Sequence, residues 1–353
     1  MRVAVINSGS SSLKFKLFNM DTNEVIYSKV VEKIGEKNSA IKSHSQALEL
    51  LEVDFSTIDI IGHRVVHGGE EFTKPTLLDA EVIKKLEDIT HLAPLHNPAN
   101  LEGILVAKQK APNLAQVAVF DTAFHSEMPQ EAYLYALDFE LYEKHKIRKY
   151  GFHGTSHSYL LKETAKELNK EESGLNIITL HLGNGASACA IENGKSIDTS
   201  MGFTPLEGLV MGTRCGDIDP AIVLYMQRDL GMSRDKVDEI LNKKSGLLGL
   251  CGSSDIRNIL EQDDERSRLA IDIMTRRVKK YIGAYIALLG RVDAIVFSGG
   301  IGENSAYIRE KIVDKTLAKE IPILVIKTNE ELEIARQCLA FKDSESKNSS
   351  SSL

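Results

Sequence analysis

The sequence predicts an α/β protein of two similar halves, each opening with a strand, a turn of small polar residues and further strands. Three observations carry this. One strand-and-glycine-turn pattern opens at Val3 and returns at Asn176. Apolar residues at helical spacing fill the stretches between. Finally, 353 residues at 42% hydrophobic and 26% charged suffice for two packed cores and exclude a disordered chain. The formal charge of −7 argues against a nucleic-acid or anionic-membrane surface as the main partner.

The apolar run Val3–Ile6 breaks into Asn7-Ser-Gly-Ser-Ser-Ser12, and Leu13–Phe18 then alternates as a half-buried strand does. Asp21-Thr-Asn23 is a turn and Val25–Val31 a third strand, completing a meander. Ile58–Gly62 is an apolar strand, and Asp79–Leu86 an amphipathic helix with acids in its first turn. Asn97–Lys110 is a helix with Pro98 just inside its start. Val117–Phe120 is a strand, and Ser156–Asn169 a helix. The second meander runs through Asn176–Leu182, Gly183-Asn-Gly185, Ala186–Ile191, the hairpin signal Asn193-Gly194 and Ser196–Thr199. Its residues do not align one for one with the first, so what repeats is a pattern. Arg266–Leu289 reads as a helix, and Val292–Ser298 as a buried strand entering the glycine turn Gly299-Gly-Ile-Gly302. The Ser-rich segment Lys342–Leu353 is expected to be disordered. A cleft between two such halves is the default place for a ligand.

Neither the short run before Asn7 nor the uncharged stretch Ser173–Ile191, with its three glycines, suits a signal peptide or a membrane span. Cys189, Cys215, Cys251 and Cys338 form no CxxC and read as reduced thiols of a cytoplasmic protein.

The chemistry-bearing residues cluster at strand ends. In Asn7–Ser12, backbone N–H groups and hydroxyls can converge on a phosphate, with Lys14 two residues on. The alternative there is an ordinary hairpin turn. Leu182-Gly-Asn-Gly185 is a second such turn and Gly299-Gly-Ile-Gly-Glu-Asn304 a third, where backbone can approach a flat ligand. Gly194-Lys-Ser196 lacks the first glycine of a Walker A loop because Cys189 stands there, and no GxGxxG follows either leading strand.

His63-Arg64-Val-Val-His67-Gly-Gly69 sets a guanidinium fork beside two glycines, which suits an oxyanion. His63 with His67, and His153 with His157, lack a third zinc ligand at familiar spacing. Asp121 ends an apolar strand, where α/β active sites sit. His153 stands among glycines at a helix start, and Arg214 among small residues in Gly212–Asp217. Two glycine-flanked arginines, a strand-end Asp and a glycine-flanked His suit phosphoryl transfer, with the arginines neutralising the equatorial oxygens and a metal bridging the phosphates.

VINSGSSSLKF, HRVVHGG, HLAPLHNPAN, VFDTAFH, YGFHGTSH, LHLGNGAS, GTRCGDIDP, SSDIR, FSGGIGEN and TNEELEIA occur in this order along the chain. In these blocks the sequence resembles the acetate kinase family of the acetate and sugar kinase, Hsp70 and actin superfamily. The resemblance implies two duplicated actin-like (ribonuclease H-like) domains with an interdomain active-site cleft. Residues 1–150, completed by about 331–353, would form the N-terminal domain, and 151–330 the C-terminal domain with most of the nucleotide site. It implies Mg2+-dependent, reversible in-line transfer between ATP and acetate to give ADP and acetyl phosphate, with Mn2+ as an alternative ion, in a homodimer. The charge and the lack of a membrane span lead to the expectation of no nucleic-acid or membrane partner.

On matching positions, Arg64 and Arg214 would bind the phosphoryl group and the carboxylate, His153 the phosphoryl in the transition state, and Asp121 would order the site. Asn7 and Glu330 match the metal-associated pair. Ser10, Ser12, Lys14 and Asn184 match the phosphate region, and Asp255, Arg257, Gly300, Ile301 and Asn304 the adenosine pocket. Val66, Leu95, Phe152 and Pro205 match the acyl pocket, and His96 a transition-state helper. Compared with the family pattern, the chain is short across Glu32–His44 and again between Arg309 and Ile321. A carboxylate acceptor is already ionised at neutral pH, since such acids titrate near Glu's value of about 4.3. Positioning and charge neutralisation therefore suffice, without a general base. The alternatives are a propionate or other short-chain carboxylate kinase and, in another class, an inactive actin-like nucleotide-binding protein.

Overall fold

The structure, a computed structural model, describes residues 1–9, 11–94, 96–262, 264–313 and 320–351, with 346–351 described through their backbone. The chain divides into two compact units, Met1–Ser126 with Asn329–Leu353, and Glu127–Thr328.

In the first unit, β1 (Arg2–Ser8), β2 (Ser12–Asn19), β3 (Glu24–Glu32), β4 (Ile60–Val65), β5 (Thr76–Leu77) and β6 (Gln116–Phe120) form one sheet of order β3-β2-β1-β4-β6-β5. β1, β2 and β3 are the antiparallel meander read from the sequence, and β1, β4 and β6 run parallel. The unit's helices are α1 (His44–Glu49), α2 (Ala80–Asp88), α3 (Asn97–Lys110) and, from the far end of the chain, α14 (Glu330–Ser351).

Side chains alternate across a strand, so the parallel trio presents two faces. Ala4, Ile6 and Ile61 join Leu48 of α1 and Ala107 of α3 in one core cluster. Gly62 lies on the other face, where a Cβ would come within 2.6 Å of Cys338 Sγ and 2.8 Å of Ile334 Cγ2 on α14. Arg64 follows two residues on, so it shares Gly62's face.

The second unit repeats the plan. β7 (Ile177–Leu182), β8 (Ala186–Glu192), β9 (Lys195–Thr199), β10 (Ala294–Ser298) and β11 (Ile323–Val325) form a sheet of order β11-β10-β7-β8-β9. An antiparallel meander, β7-β8-β9, again continues into parallel strands, β10 and β11. Asn193 and Gly194 turn the β8–β9 hairpin at φ 49° and 80°, the left-handed pair that an Asn-Gly turn supplies. The helices are α4 (Gln130–Tyr133), α5 (Phe139–His145), α6 (Gly154–Glu167), α7 (Ala221–Arg228), α8 (Arg234–Lys243), α9 (Gly246–Cys251), α10 (Ile256–Gln262), α11 (Glu265–Leu289), α12 (Gly299–Asn304) and α13 (Ala306–Val313). Among the described residues, no helix is long and apolar enough to cross a membrane.

Four expectations differ from the structure. Residues 127–150, read with the first half, pack with the second unit: Lys149 N donates to Tyr133 O, and its ammonium reaches Asp198 at 3.2 Å. His63 and Arg64 lie within β4, because pairing with β6 extends to Val65↔Phe120. The glycine turn at 299–304 is a short helix whose first amide donates to the Glu303 carboxylate at 2.9 Å. That side-chain acceptor offsets the weak helix propensity of glycine. The tail expected to be disordered continues α14 as helix to Ser351, since elongating a helix already nucleated against a sheet costs little.

Candidate functional site

In the first unit, three parallel strands deliver polar residues at their C-terminal ends, all on the α14 face. Asn7 comes from β1, Arg64 from β4 and Asp121 from just past β6. Arg64 grips Asp121 with a bidentate fork, Nε to Oδ1 at 3.0 Å and Nη2 to Oδ2, while Nη1 reaches Asn7 Oδ1 at 3.4 Å. Asp121 is only 1% exposed. Burial works against the Arg64 charge, but Asp121, then Glu330 and Glu331, outweigh it and hold the guanidinium above its ordinary value. Glu330 opens α14, and its Oε1 is buried without a hydrogen-bond partner. The sequence-predicted quartet Asn7, Arg64, Asp121 and Glu330 is thus one cluster. Acidic residues in the first turn of α14 also suit the helix dipole.

The Asn7–Ser12 turn is tied internally by Gly9 N donating to Ser12 O at 2.8 Å. Lys14 stands opposite Asn7 across the β1–β2 ladder and is exposed. Ser10 and Leu95 lie outside the described residues. Val66 is buried just after β4, and His96 is the N-cap residue of α3.

Sequence reasoning missed three positioning side chains here. His44 on α1 approaches the Gly9 carbonyl with Nε2 at 2.9 Å and the Glu102 carboxylate with Nδ1 at 3.1 Å. Asn100 on α3 accepts from Val66 N at 3.0 Å and donates to Ser8 O at 2.6 Å. Asn97, one turn earlier, accepts from His67 N at 3.1 Å and donates to His67 O at 3.0 Å. The spacing of Asn97 and Asn100 in the HNPAN block, with Gly103 three residues on, was the available signal, because i, i+3 residues share a helix face. Gly103 completes that face: a Cβ there would fall 2.1 Å from Ser8 Oγ.

In the second unit the Gly183–Gly185 turn is the focus. A Cβ on Gly185 would lie 3.4 Å from His153 Nε2 and 3.8 Å from Arg214 Nη1, so His153 and Arg214 converge on that turn. His153 is held at the N-cap of α6 with φ 57°, a left-handed conformation that costs a non-glycine residue about 1–2 kcal/mol. Its Nδ1 lies 2.9 Å from Ser187 Oγ; Ser187 also meets His157 Nε2 at 2.8 Å, and His157 Nδ1 meets Thr179 Oγ1 at 2.7 Å. This buried chain fixes the plane of the His153 ring.

Arg214 differs from Arg64. Its Nη1 donates to the Pro205 carbonyl at 3.2 Å, and among the described residues no carboxylate pairs with it. Burial lowers its pKa. A half-buried cation without a counter-charge is a standing invitation to an anion. Phe152, 2% exposed, directly precedes His153.

A cavity of about 730 Å³ opens beside this turn, and six sequence-predicted nucleotide residues line it: Asn184, Asp255, Arg257, Gly300, Ile301 and Asn304. Ligand pockets run to roughly 300–1,000 Å³, so it has room for a nucleotide. Asn304 Nδ2 donates to Gly300 O at 2.8 Å. The Arg257 fork holds the Asp255 carboxyl down at about 2.

A sequence profile of the Acetokinase family matches residues 2–55 and 47–319. The chain is 54% identical to the acetate kinase of Sulfurimonas denitrificans over 386 residues, covering 97% of this chain and 99% of the relative. The acetate kinase of Campylobacter lari is 48% identical over 387 residues, covering 95% and 98%. Both alignments are longer than the chain's 353 residues, so these relatives carry residues that have no counterpart here. The crystal structure of Porphyromonas gingivalis acetate kinase matches with a TM-score of 0.90 at 38% identity, covering 96% and 99%. A propionate kinase from Francisella tularensis matches with a TM-score of 0.90 at 44% identity, covering 95% and 98%.

Proposed function

The chain belongs to the acetokinase family, and on that premise we propose that it transfers the γ-phosphoryl of ATP reversibly and in line to acetate, giving acetyl phosphate and ADP. The observation that carries this reading is the half-buried Arg214 guanidinium, without a carboxylate partner among the described residues and converging with His153 on a glycine turn that borders the nucleotide-sized cavity.

Acetate is ionised at neutral pH, so no side chain has to remove a proton. The residues instead orient the two anions and neutralise charge. Arg214 meets an oxyanion directly, and His153 donates to the phosphoryl oxygens. Asp121 keeps the Arg64 fork flat and aimed. Two further N–H groups of Arg64 then remain for ligand oxygens, since a guanidinium carries five donors. Ser10, Ser12, Lys14 and Asn184 take the phosphate chain, and Asp255, Arg257, Gly300, Ile301 and Asn304 the nucleoside. Val66, Leu95, Phe152 and Pro205 are assigned to the methyl group, with His96 assisting at the transition state.

Mg2+, or Mn2+ in its place, suits the donors flanking Arg64. Asn7 Oδ1 and the orphaned, buried Glu330 Oε1 are hard oxygen ligands, and Mg2+ takes one or two carboxylates plus substrate phosphates. When bound, the ion supplies neutralisation of phosphate charge.

Propionate differs from acetate by one methylene, worth only about 1–3 kcal/mol of discrimination. Weaker propionate turnover is therefore expected beside acetate. Four free cysteines support a reducing, cytoplasmic setting. Leu224 and Tyr225 of α7, with Leu230 beyond it, are more than half exposed, which supports a homodimer that covers them.

The test is turnover of MgATP with acetate, propionate and butyrate in parallel, trapping acyl phosphate with hydroxylamine. Acetyl hydroxamate should dominate, with less propionyl and little butyryl product. No product with any acid, from folded protein that binds ATP, would sink the proposal and favour an inactive nucleotide-binding homologue.

A further inference from the structure

We propose that Tyr135 and Glu207 form a positioning pair that holds the loop bearing Pro205 and Arg214 in register with the turn bearing His153. The inference rests on the roles given above to Arg214 and His153. Residues 200–217 contain neither strand nor helix. Around Arg214 the backbone is held by Met211 N donating to Arg214 O at 3.2 Å, Ser245 N to Thr213 O at 3.0 Å and Cys215 N to Leu241 O at 3.1 Å. These bonds do not reach Pro205, whose carbonyl takes Arg214 Nη1.

Two side-chain clusters add to this hold on the loop. At its far end, Asp217 accepts from Gly208 N at 2.7 Å and from Tyr281 Oη at 2.9 Å, while Arg277 donates to the Gly208 carbonyl at 2.8 Å. Nearer the site, the Tyr135 phenol donates to the Glu207 carboxylate and accepts from Phe203 N at 2.9 Å. Gly202 fits beneath this pair only because it has no side chain: a Cβ would fall 1.7 Å from Glu207 Oε2 and 2.2 Å from Tyr135 Oη.

The Gly202 carbonyl in turn accepts from Tyr150 N at 3.1 Å and Gly151 N at 3.2 Å, immediately before Phe152 and His153. One dipeptide, Gly202-Phe203, therefore joins the pair to the His153 turn. On its other side, Pro205 lies between Phe203 and Glu207, and its carbonyl receives Arg214 Nη1.

The pair is also chemically committed. Burial raises the Glu207 carboxyl, and the Tyr135 hydrogen bond and the Lys149 charge only partly offset it. Removing the phenol hydroxyl deprives both a half-buried carboxylate and the Phe203 amide of a partner, which frees the Phe203–Glu207 stretch that carries Pro205.

The experiment compares Y135F, E207A, E207Q and the Y135F/E207A double variant by steady-state kinetics, with acetyl phosphate binding measured by calorimetry. Y135F and E207A should raise the acetate KM or lower kcat by about ten- to a hundredfold, the scale of a misplaced catalytic group. The MgATP KM should stay within about twofold, because Phe203–Glu207 line no part of the nucleotide cavity. E207Q keeps an oxygen for the phenol and should recover most of the loss. The double variant should be no worse than the weaker single one, since one interaction is removed either way.

Wild-type turnover with unchanged Y135F and E207A kinetics would overturn the pairing alone. So would a loss that E207Q fails to rescue, or MgATP and acetate KM values rising together. A wild-type chain that neither turned over nor bound acetyl phosphate would overturn the functional proposal and this inference with it.

Discussion

Arg64 and Arg214 carry the same fork into opposite surroundings, and their substitutions should behave accordingly. Arg64→Ala strands Asp121, which is 1% exposed, and breaking such a buried pair costs about 3–5 kcal/mol. Arg214→Ala removes a half-buried charge that has no counter-charge among the described residues, so it should leave the unfolding midpoint unchanged or raise it. Both should lose turnover by orders of magnitude. Urea titrations of the two variants decide the matter, and equal destabilisation would refute the contrast. Arg64's neighbour on β4 and the histidine beyond the strand give a second prediction. Burial above all pulls His63 down to about 4, with Gln116 partly opposing, and His67 to about 4 likewise. Each then binds fewer protons folded than unfolded, so stability rises with pH. Their contribution is present above about 6.5 and is lost as pH falls toward 4, about 3 kcal/mol each at most. Unfolding midpoints should drop across that window, and less so in His63→Gln. A midpoint that holds steady from pH 7 to 4.5 contradicts this.

At the scale of elements, helix limits were readable where capping was. Asp79 caps α2, accepting from Val82 N at 2.8 Å, and Pro98 lies in the first turn of α3. The task of α3 was not readable. Its buried face begins with two asparagines whose partners, Ser8, Val66 and His67, lie far off in sequence, and period alone cannot name distant partners. α12 was misread because glycine content speaks for turns, whereas the Glu303 carboxylate overrides it. α14 offers the sharpest test of an interface between elements. Gly62→Ala drives a methyl into Cys338 and Ile334, and overpacking costs about 1–3 kcal/mol. It should also weaken Mg2+ dependence by shifting Glu330. Adding Cys338→Ala should recover part of the stability, read by thermal melts of both singles and the double. Strict additivity would mean that the two side chains do not meet.

For the whole molecule, the repeated meander was legible because alternating strands and an Asn-Gly turn announce themselves locally. Both sheets then extend into parallel strands in the same order, β3-β2-β1-β4-β6 and β9-β8-β7-β10-β11. Which unit owns residues 127–150 was hidden, since Lys149 and Tyr135 declare themselves only through Asp198 and Glu207. The chain's path has a further consequence. The second unit is continuous, whereas the first needs α14, made after residue 328. A polypeptide leaving the ribosome can therefore finish the second unit while the Gly62 face of the first sheet is still bare. Its assembly during synthesis runs backwards with respect to sequence order, and a nascent chain that stops short of residue 330 lacks the carboxylate proposed to hold the metal.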